Sequence, residues 1–182
     1  MGILIEGDAY KAAGQELKMV SKNIQKVTKF ETIKELIKGQ DICFLTETTK
    51  SGYISKLTEF NSYATNEDAL ATILVRKKSN NFKVVDFNVL KELTEDYSGR
   101  VSSIVLDINS TKFLLVCIYG PLSRLDQKDF YRNVFDSVVN FVSMNAGTHV
   151  LVAGDLNLAI DPMMDGILLS QSKIIQYSIA DA

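Results

Sequence analysis

Residues 112–157, KFLLVCIYGPLSRLDQKDFYRNVFDSVVNFVSMNAGTHVLVAGDLN, carry the pattern on which the fold turns. Lys112 to Tyr119 and His149 to Ala153 are short, continuous apolar runs of the kind that make strands covered on both faces. Between them Asp126 opens a helix with Phe130, Val134, Phe135, Val138, Val139 and Val142 on one face, a stripe of about five turns that ends at Asn145-Ala-Gly147. Polar groups stand where the strands give out: Tyr119 after the first, Asp155 and Asn157 after the second.

Working outward, Leu17 to Ile24 alternates well enough for a strand, and Thr28-x-x-Glu31 supplies a capping box for a helix carrying Phe30, Ile33, Leu36 and Ile37, which Gly39 stops. Asp41-Ile-Cys-Phe-Leu-Thr46 is another buried strand, with Glu47 at its carboxyl end. Residues 48 to 68 read as a long polar loop of the sort that frames a site. Three or four strands follow, over Ala69 to Arg76, Phe82 to Val89, Val101 to Ile108 and Lys112 to Tyr119, and read as an antiparallel meander with Asn109-Ser110-Thr111 as a tight connection. Residues 1 to 16 show no sustained period and read as an irregular leader before a domain over 17 to 182. The order β-α-β, meander, α, β predicts an α/β (α+β) fold: a two-layer β-sandwich flanked by helices.

Composition narrows the function. With 182 residues, 46% hydrophobic and 23% charged, the chain can bury a core and is not a disordered or repetitive sequence. A formal net charge of -2 excludes gripping nucleic acid by bulk positive charge, so any such contact is local. Residues 17 to 40 hold six lysines against two glutamates, which suits either a phosphate-tracking face or a solvated helix. The single histidine, His149, excludes HExxH sites and multi-histidine metal centres, and it stands at the start of a buried strand, where a structural role fits best. Cys43 and Cys117 lie inside apolar runs, as small buried hydrophobes do. MGILIEGDAY has neither the pattern of a secretory signal nor that of a membrane span, so the expectation is an intracellular protein without membrane contact.

Sites in layered α/β proteins collect at strand ends. Four such ends carry polar groups here: Asn23, Glu47, Tyr119 and the pair Asp155 and Asn157. If the strands lie side by side, these groups converge. Two carboxylates and two amides suit a hard, oxygen-binding ion, Mg2+ or Mn2+, rather than zinc or copper. Such an ion polarises a phosphoryl oxygen and steadies a leaving oxyanion, as phosphodiester hydrolysis requires. Read singly, Asn23 also suits a turn cap, and Tyr119 a half-buried core tyrosine.

Leu17-Lys-Met-Val-Ser-Lys-Asn23, Asp41-Ile-Cys-Phe-Leu-Thr-Glu-Thr48, Ala71-Thr-Ile-Leu-Val-Arg-Lys77, Gly99-Arg100, Phe113-Leu-Leu-Val-Cys-Ile-Tyr-Gly-Pro121 and Gly154-Asp-Leu-Asn157 resemble, in order and spacing, the successive motifs of the endonuclease/exonuclease/phosphatase (DNase I-like) family. Gly154 to Asp165 is most similar to the endonuclease domain of non-LTR, LINE-type retrotransposons. The resemblance implies Mg2+-dependent cleavage of DNA, with no organic cofactor and with a reverse transcriptase as a partner in the parent polyprotein. It implies Glu47 as the principal metal ligand and Asn23 near the metal and phosphate. Tyr119 would contact the scissile phosphate, Asp155 orient or deprotonate the attacking water, and Asn157 hold phosphoryl oxygens. Arg100 would serve either a structural role or a contact to the DNA backbone, and Lys22 would contact the DNA backbone.

The chain departs from that pattern at three places: Lys22 stands where the family usually has Trp, Leu122 where it has Asn, and Leu70-Ala71 where a Gly pair is common. The family also carries a distal Asp and a Ser-Asp-His segment, which these 182 residues do not contain. On this reading the domain is incomplete at its C-terminus and its phosphodiester hydrolysis is weak or absent. Two other readings stand beside it: a non-catalytic remnant that serves as a binding or interaction domain, and a phosphatase of the same fold.

Overall fold

A computed structural model describes residues 17–25, 27, 29–48, 53–77, 82–90, 93, 97, 99–158 and the backbone of 175–177. The expected leader (1–16), the capping residue Thr28, and Asp161 and Asp165 lie outside the described residues. Two sheets form. One joins Met19–Asn23 (β1), Ile42–Thr46 (β2), Ala71–Arg76 (β4) and Phe60–Tyr63 (β3) in that order; the other joins Lys83–Phe87 (β5), Val101–Ile108 (β6), Thr111–Tyr119 (β7), His149–Asp155 (β8) and Ile175–Tyr177 (β9).

Each sheet contains one parallel pair, and each pair is made by a helical crossover. Phe30–Ile37 (α1) links β1 to β2, and Arg124–Met144 (α2) links β7 to β8. The registers bring the chain's polar strand ends level: Asn23 lies opposite Thr46, the residue before Glu47, and Tyr119 lies opposite Asp155. Two βαβ units therefore each deliver a pair of polar groups at their carboxyl ends, and stacking the sheets brings the two pairs together.

The layers explain why the strands read as unbroken apolar runs. On β2, Ile42 and Phe44 face the other sheet, where they meet Ile104, Leu106, Phe113, Leu115 and Ala153, while Cys43 and Leu45 face α1 with Ile33 and Ile37. On β7, Phe113, Leu115 and Cys117 face inward, and Leu114, Val116 and Ile118 pack under α2 against Phe130, Val134 and Val138. Ile42 to Thr46 and Phe113 to Tyr119 are buried at every position, which removes the polar alternation that a half-exposed strand would show. At the polar end the sheets approach through small side chains: Ser102 Oγ donates to the Ala71 carbonyl at 2.6 Å, and Leu70 and Ala71 N–H groups donate to Gly99 O at 2.7 and 2.9 Å.

Three expectations are corrected. Residues 48 to 68 contain a strand, β3, and a 3-10 turn over Ile54–Lys56. Asn61 and Ser62 are exposed on this edge strand, which is held by backbone pairing to β4, so it needed no apolar pattern. The meander is β5, β6 and β7, and Ala69 to Arg76 lies outside it, because β4 pairs with β2 in the first sheet and the chain changes sheet before β5. On α2, Tyr131 is buried and Val139 is 56% exposed, so the packed face runs through Phe130, Tyr131, Val134 and Val138. α1 begins after Lys29, which makes no side-chain cap. Among the described residues no helix is long and apolar enough to cross a membrane.

Gly154 sits in β8 at φ 131°, and a Cβ there would collide with the Ile118 carbonyl oxygen of β7. Gly154→Ala is expected to cost about 3 kcal/mol of stability in urea denaturation, through strain and overpacking at the centre of the parallel pair. Burial pushes both thiols up, Cys43 and Cys117 each from 9.0 to about 12. Folded thiols stay protonated where unfolded ones ionise, so this contribution is complete below about pH 9 and lost as pH rises toward 12, by about 1.4 kcal/mol per unit for each thiol. The urea midpoint should fall between pH 8 and 10.5, and fall less in the double variant Cys43→Ala/Cys117→Ala.

Candidate active site

The site begins with one side-chain amide. Asn23 ends β1, and its Nδ2 donates to Glu47 Oε1 and to Asp155 Oδ2, both at 2.8 Å. Its Oδ1 accepts from the Gln25 N–H at 3.0 Å, closing a turn that fixes which end of the amide faces the carboxylates. Asn23 thus caps its own turn and, with the other end of the same amide, bridges the two carboxylates. The two carboxylates come from different sheets, so the sandwich, not a single sheet, joins them.

Both carboxylate-bearing loops are held by the backbone. Glu47 has φ 58° and Asn157 φ 49°, left-handed conformations that cost a side-chain-bearing residue on the order of 1 kcal/mol. The Glu47 N–H donates to Leu70 O at 2.6 Å, and Thr48 Oγ1 behind it donates to Ala69 O at 2.5 Å and lies 3.0 Å from Thr72 Oγ1. On the other side the Asn157 N–H donates to Asp155 Oδ1 at 3.1 Å, and Asn157 Nδ2 donates to Gly120 O at 2.7 Å. The Asp155 carboxylate is therefore held at both oxygens, one by its own loop and one by Asn23.

Tyr119 is 8% exposed beside these groups. Burial, then the charge of Glu47 and a hydrogen bond to it, with Asp155 adding, raises its phenol above the ordinary range against an opposing pull from Arg100, so it stays an O–H donor. Arg100 reaches the site from behind: its guanidinium lies 5.2 Å from the Tyr119 ring centroid, and Nη1 is 3.3 Å from the carbonyl oxygens of Tyr119 and Gly120. Lys22 is half-buried and pairs with Leu45, on the α1 side of β1 and so opposite to Asn23. His149 opens β8, at the far end from Asp155, and stacks on Phe113 at 5.1 Å.

Six of the seven predicted residues thus gather at one end of the sandwich, and Lys22 lies on the other face of its strand. The chemistry of the donor set fits a hard cation. Glu47 and Asp155 oxygens share one site beside the Tyr119 hydroxyl, and the chain's soft or nitrogen ligands sit elsewhere: Cys43 and Cys117 are in the core and His149 is at the opposite strand end. Among the described residues no group of three or more His, Cys, Asp or Glu forms.

Sequence reasoning missed two α2 residues that support the site, Gln127 and Tyr131. Gln127 Nε2 donates to Pro121 O at 3.0 Å and to Asn157 O at 2.8 Å, and Tyr131 Oη donates to Leu156 O. Burial raises the Tyr131 phenol and keeps it a donor. The Asn157 and Leu156 carbonyls lie 30 and 25 residues downstream of their donors, a relation that no local motif records.

The fold has known counterparts. The structure of D. rerio TDP2 complexed with a single-strand DNA product superposes with a TM-score of 0.58 at 17% identity, over 83% of this chain and 64% of that one. The fold is that of the endonuclease/exonuclease/phosphatase proteins. A Bacteroides vulgatus protein described by that family name has a TM-score of 0.56 at 16% identity, over 78% of this chain and 66% of its own. The endonuclease domain of TRAS1, a telomere-specific non-LTR retrotransposon, has a TM-score of 0.55 at 12% identity, over 84% of this chain and 68% of its own. The chain spans about two thirds of these proteins, and about half (51%) of C. elegans TDP2. No family sequence model matches it and no curated protein aligns with it, so the likeness lies in the DNase I-like fold.

Replacing the bridging amide by a third carboxylate, Asn23→Asp, sets like charges against Glu47 and Asp155. A loss of about 1 kcal/mol at pH 7 is expected. Urea titrations should show that loss shrink as pH falls into the carboxylate range, and shrink again when Mg2+ is added.

Proposed function

We propose that this chain is a divalent-metal-dependent phosphodiesterase domain that cleaves DNA, an endonuclease of the retrotransposon type. The observation that carries the reading is the Glu47–Asn23–Asp155 bridge, which unites two carboxylates from two sheets at the end where Tyr119 and Asn157 also lie. The neighbours' descriptions support the substrate class: one was solved with a DNA product and another is a retrotransposon endonuclease domain.

Glu47, whose loop is fixed by Leu70 and Thr48, would hold the ion, with Asn23 beside it. Mg2+ or Mn2+, when bound, would supply Lewis-acid polarisation of a phosphoryl oxygen and stabilise the leaving oxygen. The remaining work falls to the chain itself. Asp155, oriented through Asn157 N–H and Asn23 Nδ2, accepts the proton of the attacking water. The protonated Tyr119 phenol and the Asn157 amide offer donors to the phosphate oxygens, where negative charge builds during in-line displacement. Arg100 steadies the Tyr119–Gly120 backbone and adds positive charge beside the phosphate. The parent protein would work inside the cell with a reverse transcriptase as its partner.

The interaction-domain reading draws on the solvent-facing Val85 and Phe87 of the edge strand β5, 44% and 55% exposed. Gel filtration tests it: an aggregating or self-associating chain supports a sticky edge, and a monomer with a cooperative melt opposes it.

Two measurements test the nuclease. With Mg2+, the 182-residue chain is expected to nick supercoiled plasmid slowly at most, and any nicking should fall at least about 100-fold in Glu47→Ala. Mn2+ binding followed by electron paramagnetic resonance should show one ion per chain, with affinity at least about tenfold weaker in Glu47→Ala. Nicking that survives the substitution, or equal Mn2+ binding by the two proteins, defeats the proposal.

A further inference from the structure

Gln127 and Tyr131 lie one turn apart on α2, and neither takes part in the chemistry proposed above. Their donors nevertheless converge on the two loops that carry it. The two hydrogens of Gln127 Nε2 go to different loops, one to Pro121 O after β7 and one to Asn157 O after β8. Tyr131 Oη donates to Leu156 O, the carbonyl just before Asn157, and its ring is fixed edge-to-face by Phe130 at 5.1 Å. Between them Gly120 is pressed so closely that a Cβ would strike both Tyr131 Oη and Leu156 O, and its N–H donates to Asp155 O at 2.8 Å.

We propose that Gln127 and Tyr131 are positioning residues that lock the Asn157 peptide in its left-handed conformation and thereby aim the Asp155 carboxylate. The route is continuous. Gln127 holds Asn157 O; the Asn157 N–H holds Asp155 Oδ1; Asp155 Oδ2 takes the Asn23 amide, which also holds Glu47. An unsupported Asn157 would relax out of φ 49°, and its N–H would swing away from Asp155. The carboxylate would then be tied by one oxygen and free to rotate about the bond that carries it. A helix with an otherwise apolar contact face thus places its two polar donors where β7 and β8 end. The inference deepens the nuclease reading, since aim matters only if Asp155 does chemistry.

The test reads the peptide directly, without metal or substrate. Amide hydrogen exchange of the full 182-residue chain, followed by NMR, reports the Asn157 N–H and the core amides of Leu114 and Val116 in one experiment. In Gln127→Leu the Asn157 amide is expected to exchange at least about tenfold faster while the two core amides keep their rates. Tyr131→Phe should move Asn157 in the same direction. Unchanged exchange at Asn157 overturns the proposal. So does a parallel rise at Leu114 and Val116, or an unfolded Gln127→Leu protein, because either would make the pair a general support of the fold. Where turnover is measurable, kcat should fall at least about tenfold with KM within about twofold, and a change confined to KM counts against the proposal. A wild-type chain that never cleaves DNA would defeat the nuclease reading while the exchange result still decides whether the peptide is locked.

Discussion

Asn23 can reach Glu47 and Asp155 together only if the carboxyl ends of β1, β2, β7 and β8 stop at the same height in two different layers. That requirement constrains much of the rest of the molecule. It demands parallel pairing of β1 with β2 and of β7 with β8, which in turn demands a crossover helix on the outer face of each sheet. It also demands that the sheets close up at this end, which they do through Ala71, Ser102, Gly99 and Ala153, where bulkier residues such as Phe44 and Phe113 fill the interior elsewhere. Gly154 belongs to the same constraint, because only a residue without Cβ lets β8 lie against Ile118 just before Asp155.

The site is correspondingly a product of backbone more than of side-chain packing. Glu47 and Asn157 occupy left-handed conformations at the ends of their loops; the Glu47 N–H is held by Leu70 O, and Asn157 is held by the Gln127 side chain on its carbonyl and by its own amide on Gly120 O. Strain of this kind persists only where the surroundings over-determine it. The result is a pair of carboxylates whose orientation is set before any ligand arrives, which is what electrostatic catalysis at a phosphate asks of a protein.

Much of this was legible in the sequence, for a physical reason. Strands buried on both faces must be continuously apolar, so DICFLT, KFLLVCIY and HVLVA announced themselves, and the polar residue that ended each run marked the point where the strand met solvent. The edge strand β3 escaped notice because Asn61 and Ser62 are exposed and its pairing is through peptide groups, which leave no side-chain pattern. The assignment of β4 to the meander failed because strand order is a choice between sheets, and an apolar strand is equally content in either.

By itself, then, the sequence determined the two-layer architecture, the amphipathic helices and five of the residues that meet at the site, because each of those depends on local periodicity or on a polar residue placed against an apolar run, and the motif resemblance added Arg100. Tertiary structure alone decided that Asn23 serves as the bridge between the carboxylates, that Lys22 faces the α1 side of β1, and that Gln127 and Tyr131 reach over from α2. Those relations are made by single hydrogen bonds or by strand register across many residues of chain, and only the packing of one sheet on the other brings their partners within reach.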